Sequence, residues 1–254
     1  MSDLIITLIL GSLIGLSAGY LGTLMVLRRM SLVGDALSHV ALPGLALGLL
    51  FHFNPFLGAF SALFIAILLI WIIENKTHLP VETLVGVFFT LSLAIGLLIT
   101  PQPDLLEALF GDIGKVGLLE TGVAIALAML VFGLTHVIYR RFILSTISND
   151  LAQSAGVATK KLDFIFLLLV ALIVSLGIKI VGTLLMGALV IIPAAASKNL
   201  SHRLNSYRGL GAVFGLASAA LGIYWSTLTH VAPGPMVVLT GSAFFLLSLL
   251  FKKR

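Results

Sequence analysis

The sequence predicts an all-α fold: a polytopic transmembrane helical bundle of about nine spans, with eight as the alternative count, its N-terminus outside and its C-terminus cytoplasmic. Three observations predict it. Of the 254 residues, 59% are hydrophobic and 10% are charged, against about 25% charged in a soluble domain; mean hydropathy is +1.18. Apolar stretches of roughly 20 residues recur, the length at which a helix crosses the hydrocarbon core of a bilayer. Lys and Arg collect on one side once those stretches are threaded back and forth. This composition cannot build a water-facing surface, whereas lipid solvates it. Helices rather than a barrel follow from the span lengths and from the lack of strict apolar/polar alternation.

The spans follow in order. The first, at about 4–27, lacks the small-residue cleavage pattern of a signal peptide and reads as a retained span. Gly11, Gly15 and Gly19 recur in it at helix spacing, which lets a neighbouring backbone approach closely. The second, 32–50, carries Gly44 and Gly48 at the same spacing and is interrupted at Pro43-Gly44. The third and fourth, 55–73 and 81–100, flank an inner loop with His78; Glu82 opens the fourth, where the helix dipole stabilises a carboxylate. The fifth, 117–138, has His136 near its inner end, read as a helix-end residue. The sixth is 164–180, and the seventh, 182–197, is interrupted by Pro193. The eighth, 209–227, carries Gly211 and Gly215, and the ninth is 235–251.

The basic residues set the orientation. With the N-terminus outside, the inner segments hold Arg28, Arg29, Lys76, Arg140, Arg141, Lys160, Lys161, Lys198, Arg203, Arg208, Lys252, Lys253 and Arg254. Of the 15 Lys and Arg, only Lys115 and Lys179 fall outside. The outer loop after the fourth span is acidic instead, with Asp104, Glu107 and Asp112. An even number of spans would disturb this pattern. The net charge of +5 reads as cytoplasmic loops facing anionic lipid rather than as a nucleic-acid footprint. The chain has no cysteine, which excludes a disulfide framework and thiolate metal sites.

Two polar residues do not belong in lipid. Asp35 and His39 are four apart in the second span and share one helical face. Counted from Met30, they lie roughly 7–8 Å and roughly 14 Å along the helix. Ionisable residues at such depth face a cavity, a partner or a pathway. A carboxylate with an imidazole is a donor set for Zn²⁺ or Mn²⁺, but zinc usually takes four ligands, so two make only part of a site. A two-fold homodimer would double the set at its axis. The alternatives to a metal role are an intrahelical Asp–His hydrogen bond or a charge tied to a neighbouring helix, and spacing alone favours these. His52 and His230 fall at the outer face, where they either capture an arriving metal or are simply solvated. His202 sits in an inner loop.

The longest inner segment, about 139–163, contains Ile147 to Gly156. Ser148, Asn149 or Asp150 can cap a short helix there and Gly156 can end it. Such a helix is either a docking surface for a soluble partner or a solvated connector. No hydrolytic machinery is recognisable. Gly111 to Val116 looks Gly/Lys-rich but lacks P-loop spacing and the Ser or Thr after Lys. Neither a His-Glu-x-x-His motif nor a Gly-x-Ser-x-Gly elbow occurs.

At these residues the sequence resembles the membrane permeases of the zinc/manganese-type metal ABC transporters, the class that includes the high-affinity zinc uptake permease. Four stretches carry the resemblance, in order over nearly the whole chain: RRMSLVGDALSHVALPG at 28–44, LFGDIG at 109–114, ISNDLAQSAGV at 147–157 with KIVGTLLMGALVIIPAAAS at 179–197, and APGPMVVL at 232–239. The resemblance implies a single permease domain over 1–254 in the bacterial plasma (inner) membrane. It implies a second permease copy, cytoplasmic ABC ATPase subunits and an extracytoplasmic metal-binding protein as partners. Asp35 and His39 would then line the metal path, and the segment holding Asp150, Leu151, Ala152 and Gly156 would couple to the ATPase. Transported Zn²⁺, or next Mn²⁺, would be cargo moved by alternating access, with no permanently bound cofactor and with ATP hydrolysed by a separate subunit. Two departures stand out. Family members often carry an Asp where this chain has His230, and some zinc permeases carry a His in the fourth span, where this chain reads Gly86-Val87-Phe88-Phe89-Thr90. Both weaken the choice of zinc over manganese. An intramembrane enzyme using Asp35 and His39 as an acid/base pair, and a non-transporting scaffold, are the competing expectations.

Overall fold

The computed structural model describes residues 2–77, 79–99, 118–183 and 185–251. His78, the outer loop with Asp104, Glu107, Asp112 and Lys115, the LFGDIG stretch and Lys252 to Arg254 lie outside the described residues. Within them the chain forms α-helices: α1 Ser2–Leu27, α2 Ser31–Val40, α3 Leu42–Leu50, α4 Pro55–Thr77, α5 Val81–Ile99, α6 Leu118–Ile147, α7 Asn149–Ser154, α8 Thr159–Val181, α9 Met186–Leu200, α10 Leu204–Thr229 and α11 Pro233–Leu250. Taking α2 and α3 together, eight spans are long and apolar enough to cross a membrane, and α9 is a shorter apolar helix. All nine expected segments are therefore present, one broken and one short.

The breaks have local causes. Pro43 has no N–H to donate to the His39 carbonyl four residues back, and its ring would press on that carbonyl. The helix accordingly stops at Val40, turns at Ala41 and restarts with Pro43 in the first turn of α3. Between α8 and α9, Gly182 adopts φ +80° and ψ 168°, open to a residue without Cβ. Pro193, by contrast, lies inside α9, which continues through it.

Two expectations are revised. α6 runs to Ile147, eleven residues beyond His136, so His136 is an interior residue whose Nδ1 lies 3.1 Å from the Tyr20 hydroxyl. The inner segment expected at 139–163 is mostly helical, its first nine residues being the end of α6. Backbone hydrogen bonds carry a helix past the edge of the apolar layer, which hydropathy alone does not register.

α1 is the hub. Its residues 17–25 are all buried, and Ile14, Leu21, Leu24 and Met25 are at 1% exposure or less. It meets α10 backbone to backbone at Gly15 against Gly215 and Gly19 against Gly211, and it meets α9 at Gly22 against Val190. Gly44 and Gly58 bring α3 and α4 together in the same way. Between membrane helices, where burial from water contributes little, such close approach supplies the van der Waals contact that holds the bundle. α8 is largely buried, whereas α5, α6 and α11 expose Leu98, Val137 and Leu250 outward.

Candidate functional site

The site grows from α2. This ten-residue helix turns one face inward, burying Val33, Gly34, Leu37, Ser38, His39 and Val40. His39 is 8% exposed, and its Nδ1 has no hydrogen-bond partner. This nitrogen therefore does not donate the intrahelical hydrogen bond to Asp35 that was one of the alternatives. The ring is held instead by its edge against Phe89 of α5, with centroids 5.3 Å apart. A buried polar nitrogen without a partner costs free energy, and such an atom calls for an explanation.

Asp35 sits one turn earlier, half-buried, against the start of α9. A Cβ at Gly187 would lie 2.7 Å from Asp35 Oδ1 and 2.6 Å from its Cα, so only glycine allows this approach. Leu185 is the N-cap of α9 and offers no side-chain cap. The carboxylate therefore lies against the first turn of α9. Ser38 stands within hydrogen-bond distance of two carbonyls, 2.6 Å from Asp35 O and 2.5 Å from Thr183 O. This contact ties α2 to the non-helical backbone between α8 and α9. Irregular backbone inside a membrane protein is tolerated where protein buries it or where it lines a cavity; Val181, Gly182 and Thr183 are buried.

Gly187, Ser38 and Thr183 were not singled out from sequence, and Phe89 entered only within the stretch 86–90 of the fourth span. The available signal was Gly182 followed by Gly187 in an otherwise apolar run. No group of three or more His, Asp or Glu among the described residues is arranged to hold a metal. Among the described residues of one chain, Asp35 and His39 set one carboxylate and one imidazole a helical turn apart on α2.

His52 and His230 end α3 and α10 in left-handed conformations, with φ of 53° and 56°. Both are exposed. α3 and α10 do not pack on each other, so the structure does not join the two histidines.

The inner segment forms α7. Ser148 is its N-cap and accepts from the Leu151 N–H at 3.3 Å. Gly156, at φ +77°, ends it in a Schellman arrangement: the Gly156 N–H donates to Gln153 O and the Val157 N–H to Ala152 O, both at 2.9 Å. Ala152 is completely buried and seats the helix, while Asp150 is exposed and Leu151 is 60% exposed. Ile147, the last residue of α6, is 75% exposed, so exposed apolar side chains stand on both sides of the Ser148 cap.

The profile of the ABC 3 transport family matches residues 1–252. The manganese transport system membrane protein of Listeria innocua serovar 6a is 31% identical over 245 residues, covering 95% of this chain and 88% of that protein. The high-affinity zinc uptake system membrane protein of Haemophilus influenzae is 33% identical over 258 residues, covering 97% of each. Among solved structures, PsaBC from Streptococcus pneumoniae in complex with Fab matches with a TM-score of 0.85 at 28% identity, covering 98% of this chain and 91% of that one.

Proposed function

This chain belongs to the ABC 3 transport family, and from that premise we propose that it is the membrane permease subunit of an importer that carries a divalent transition metal, zinc or manganese, into the cytoplasm. It is a multi-pass protein of bacterial inner-membrane type. The observation that carries the metal reading is the buried His39 Nδ1 without a partner, one helical turn from Asp35 on a helix that stops two residues before Leu42. Manganese and zinc transport by the relatives supports it.

In this reading the whole chain, 1–254, is one permease domain with its N-terminus outside and its Lys- and Arg-rich ends in the cytoplasm. An extracytoplasmic binding protein delivers the ion. It passes Asp35 and His39, which supply a hard oxygen and a borderline nitrogen. A second copy of the chain brings the same pair to a shared path, and the incomplete site releases its cargo because no closed four-ligand cage forms. ATP hydrolysis belongs to separate cytoplasmic subunits docked on α7 through Leu151 and its neighbours, and it drives alternating access.

The test is metal uptake by the full complex in proteoliposomes, with Zn²⁺, Mn²⁺ and Fe²⁺ in competition. Asp35→Ala and His39→Ala are each expected to abolish uptake while the complex still assembles. Normal uptake by either variant overturns the reading.

A further inference from the structure

The junction between α1 and α2 is unusual. α1 ends in a Schellman arrangement, with Arg29 N–H donating to Val26 O and Met30 N–H to Met25 O. The left-handed position is filled not by glycine but by Arg29, at φ 62°. A non-glycine residue is uncommon there, and the turn is pinned from both sides by backbone hydrogen bonds. The residue immediately before it, Arg28, points away from the helix it ends. Its Nη1 donates to Asp163 Oδ1 at 2.5 Å, its Nη2 to Ser145 Oγ at 3.0 Å and its Nε to Thr146 Oγ1 at 3.3 Å. The guanidinium also lies 4.1 Å from the centroid of the Phe142 ring.

These partners bracket α7. Ser145 and Thr146 are in the last turn of α6, just before the Ser148 cap; Asp163 is in the first turns of α8, just after Gly156. One planar fork therefore holds both flanks of α7 at once, a geometry Lys cannot reproduce. Asp35 lies seven residues further along the chain, beyond the pinned turn. A cavity of about 270 Å³ opens beside the guanidinium, lined by Met30, Glu74, Glu82 and Asp163 among others, so the grip is not packed solid on that side.

We propose that Arg28 is the positioning residue that transmits displacement of α7 to α2, and so to Asp35 and His39. The proposal rests on the reading above, in which α7 docks the ATPase and α2 lines the metal path. When the flanks of α7 shift, the guanidinium shifts with them, and the pinned turn passes the displacement to the first residues of α2. The pair is mostly buried, Arg28 at 17% and Asp163 at 27% exposure, so truncating one partner costs stability; the exchange variant, which restores an ion pair, separates coupling from folding.

The experiment uses the reconstituted complex of permease, ATPase and binding protein, and it reads Mn²⁺ or Zn²⁺ uptake and ATP hydrolysis together. Arg28→Ala is expected to assemble normally and to hydrolyse ATP within about twofold of wild type. Metal moved per ATP should fall tenfold or more, through the maximal rate and with the half-saturating metal concentration unchanged. Arg28→Lys should be intermediate and Asp163→Asn should resemble Arg28→Ala. The exchange Arg28→Asp with Asp163→Arg should regain at least a third of the coupling. Wild-type coupling in Arg28→Ala overturns the proposal. So does a defect that appears only as lost assembly, without recovery in the exchange variant. Failure of the underlying reading looks different: Leu151→Glu would leave the ATPase bound, or Asp35→Ala would leave uptake intact, whatever Arg28 does.

Discussion

Gly187→Ala is a demanding test of the site, because it alters neither Asp35 nor His39. A methyl at 187 would stand 2.5 Å from Asp35 Cβ, 2.6 Å from its Cα and 2.7 Å from its Oδ1. Non-bonded carbons pack at about 3.5–4.0 Å, so the contact is short by about 1 Å. Asp35 cannot rotate out of the way, since two of the three atoms are fixed by the backbone of α2. The helices must separate by roughly that 1 Å, dragging Ser38 from Thr183. Overpacking of this kind costs about 1–3 kcal/mol, and a 1 Å misplacement of a working group can cost on the order of 10²-fold in rate. Uptake into proteoliposomes should drop by about tenfold or more, and thermal unfolding of the detergent-purified protein should move down. Gly209→Ala is the control. A Cβ there meets nothing within 4 Å, and Gly→Ala inside a helix gains about 0.5–1 kcal/mol, so this variant should transport normally and be as stable or slightly more so. Wild-type uptake and stability in Gly187→Ala would refute the placement of Asp35 against α9.

Two further outcomes follow from the same kind of geometry. Gly156→Ala places a side chain at φ +77° with open space around it, so the penalty is conformational alone, about 1–2 kcal/mol. It should weaken co-purification of the ATPase with the permease while leaving the fold and the membrane yield intact. Gly15→Val drives a branched side chain into the Gly215 backbone and Ala219, where neither neighbour can yield; full-length protein in the membrane fraction should fall severely, and a normal yield would contradict the α1–α10 contact.

Much of the candidate site was legible in the sequence because it obeys local periodicity. The i, i+4 spacing of Asp35 and His39 places them on one face wherever the helix packs, and Ser148 and Gly156 cap α7 by chemistry confined to a few residues. The contacts that give these residues their setting were not legible. Asp35 meets Gly187 across about 150 residues of chain, and Arg28 meets Asp163 at a separation of 135. Neither pairing has a periodic signature, since it depends on which helix faces land together. The extension of α6 to Ile147 escaped for another reason: hydropathy reports the apolar layer, whereas the helix ends only where its backbone hydrogen bonding ends.

By itself, then, the sequence determined that this is a helical membrane protein, how many apolar segments it has, and that one helix carries a carboxylate and an imidazole on a common face. Composition and periodicity act at every residue and need no knowledge of neighbours. Only the tertiary structure decided that the helix is held at a broken α8–α9 junction, that His39 Nδ1 is buried without a partner, and that Arg28 spans the flanks of α7. Those facts depend on close approach between distant segments, set by glycine backbones and a few hydrogen bonds whose partners are unrelated in sequence.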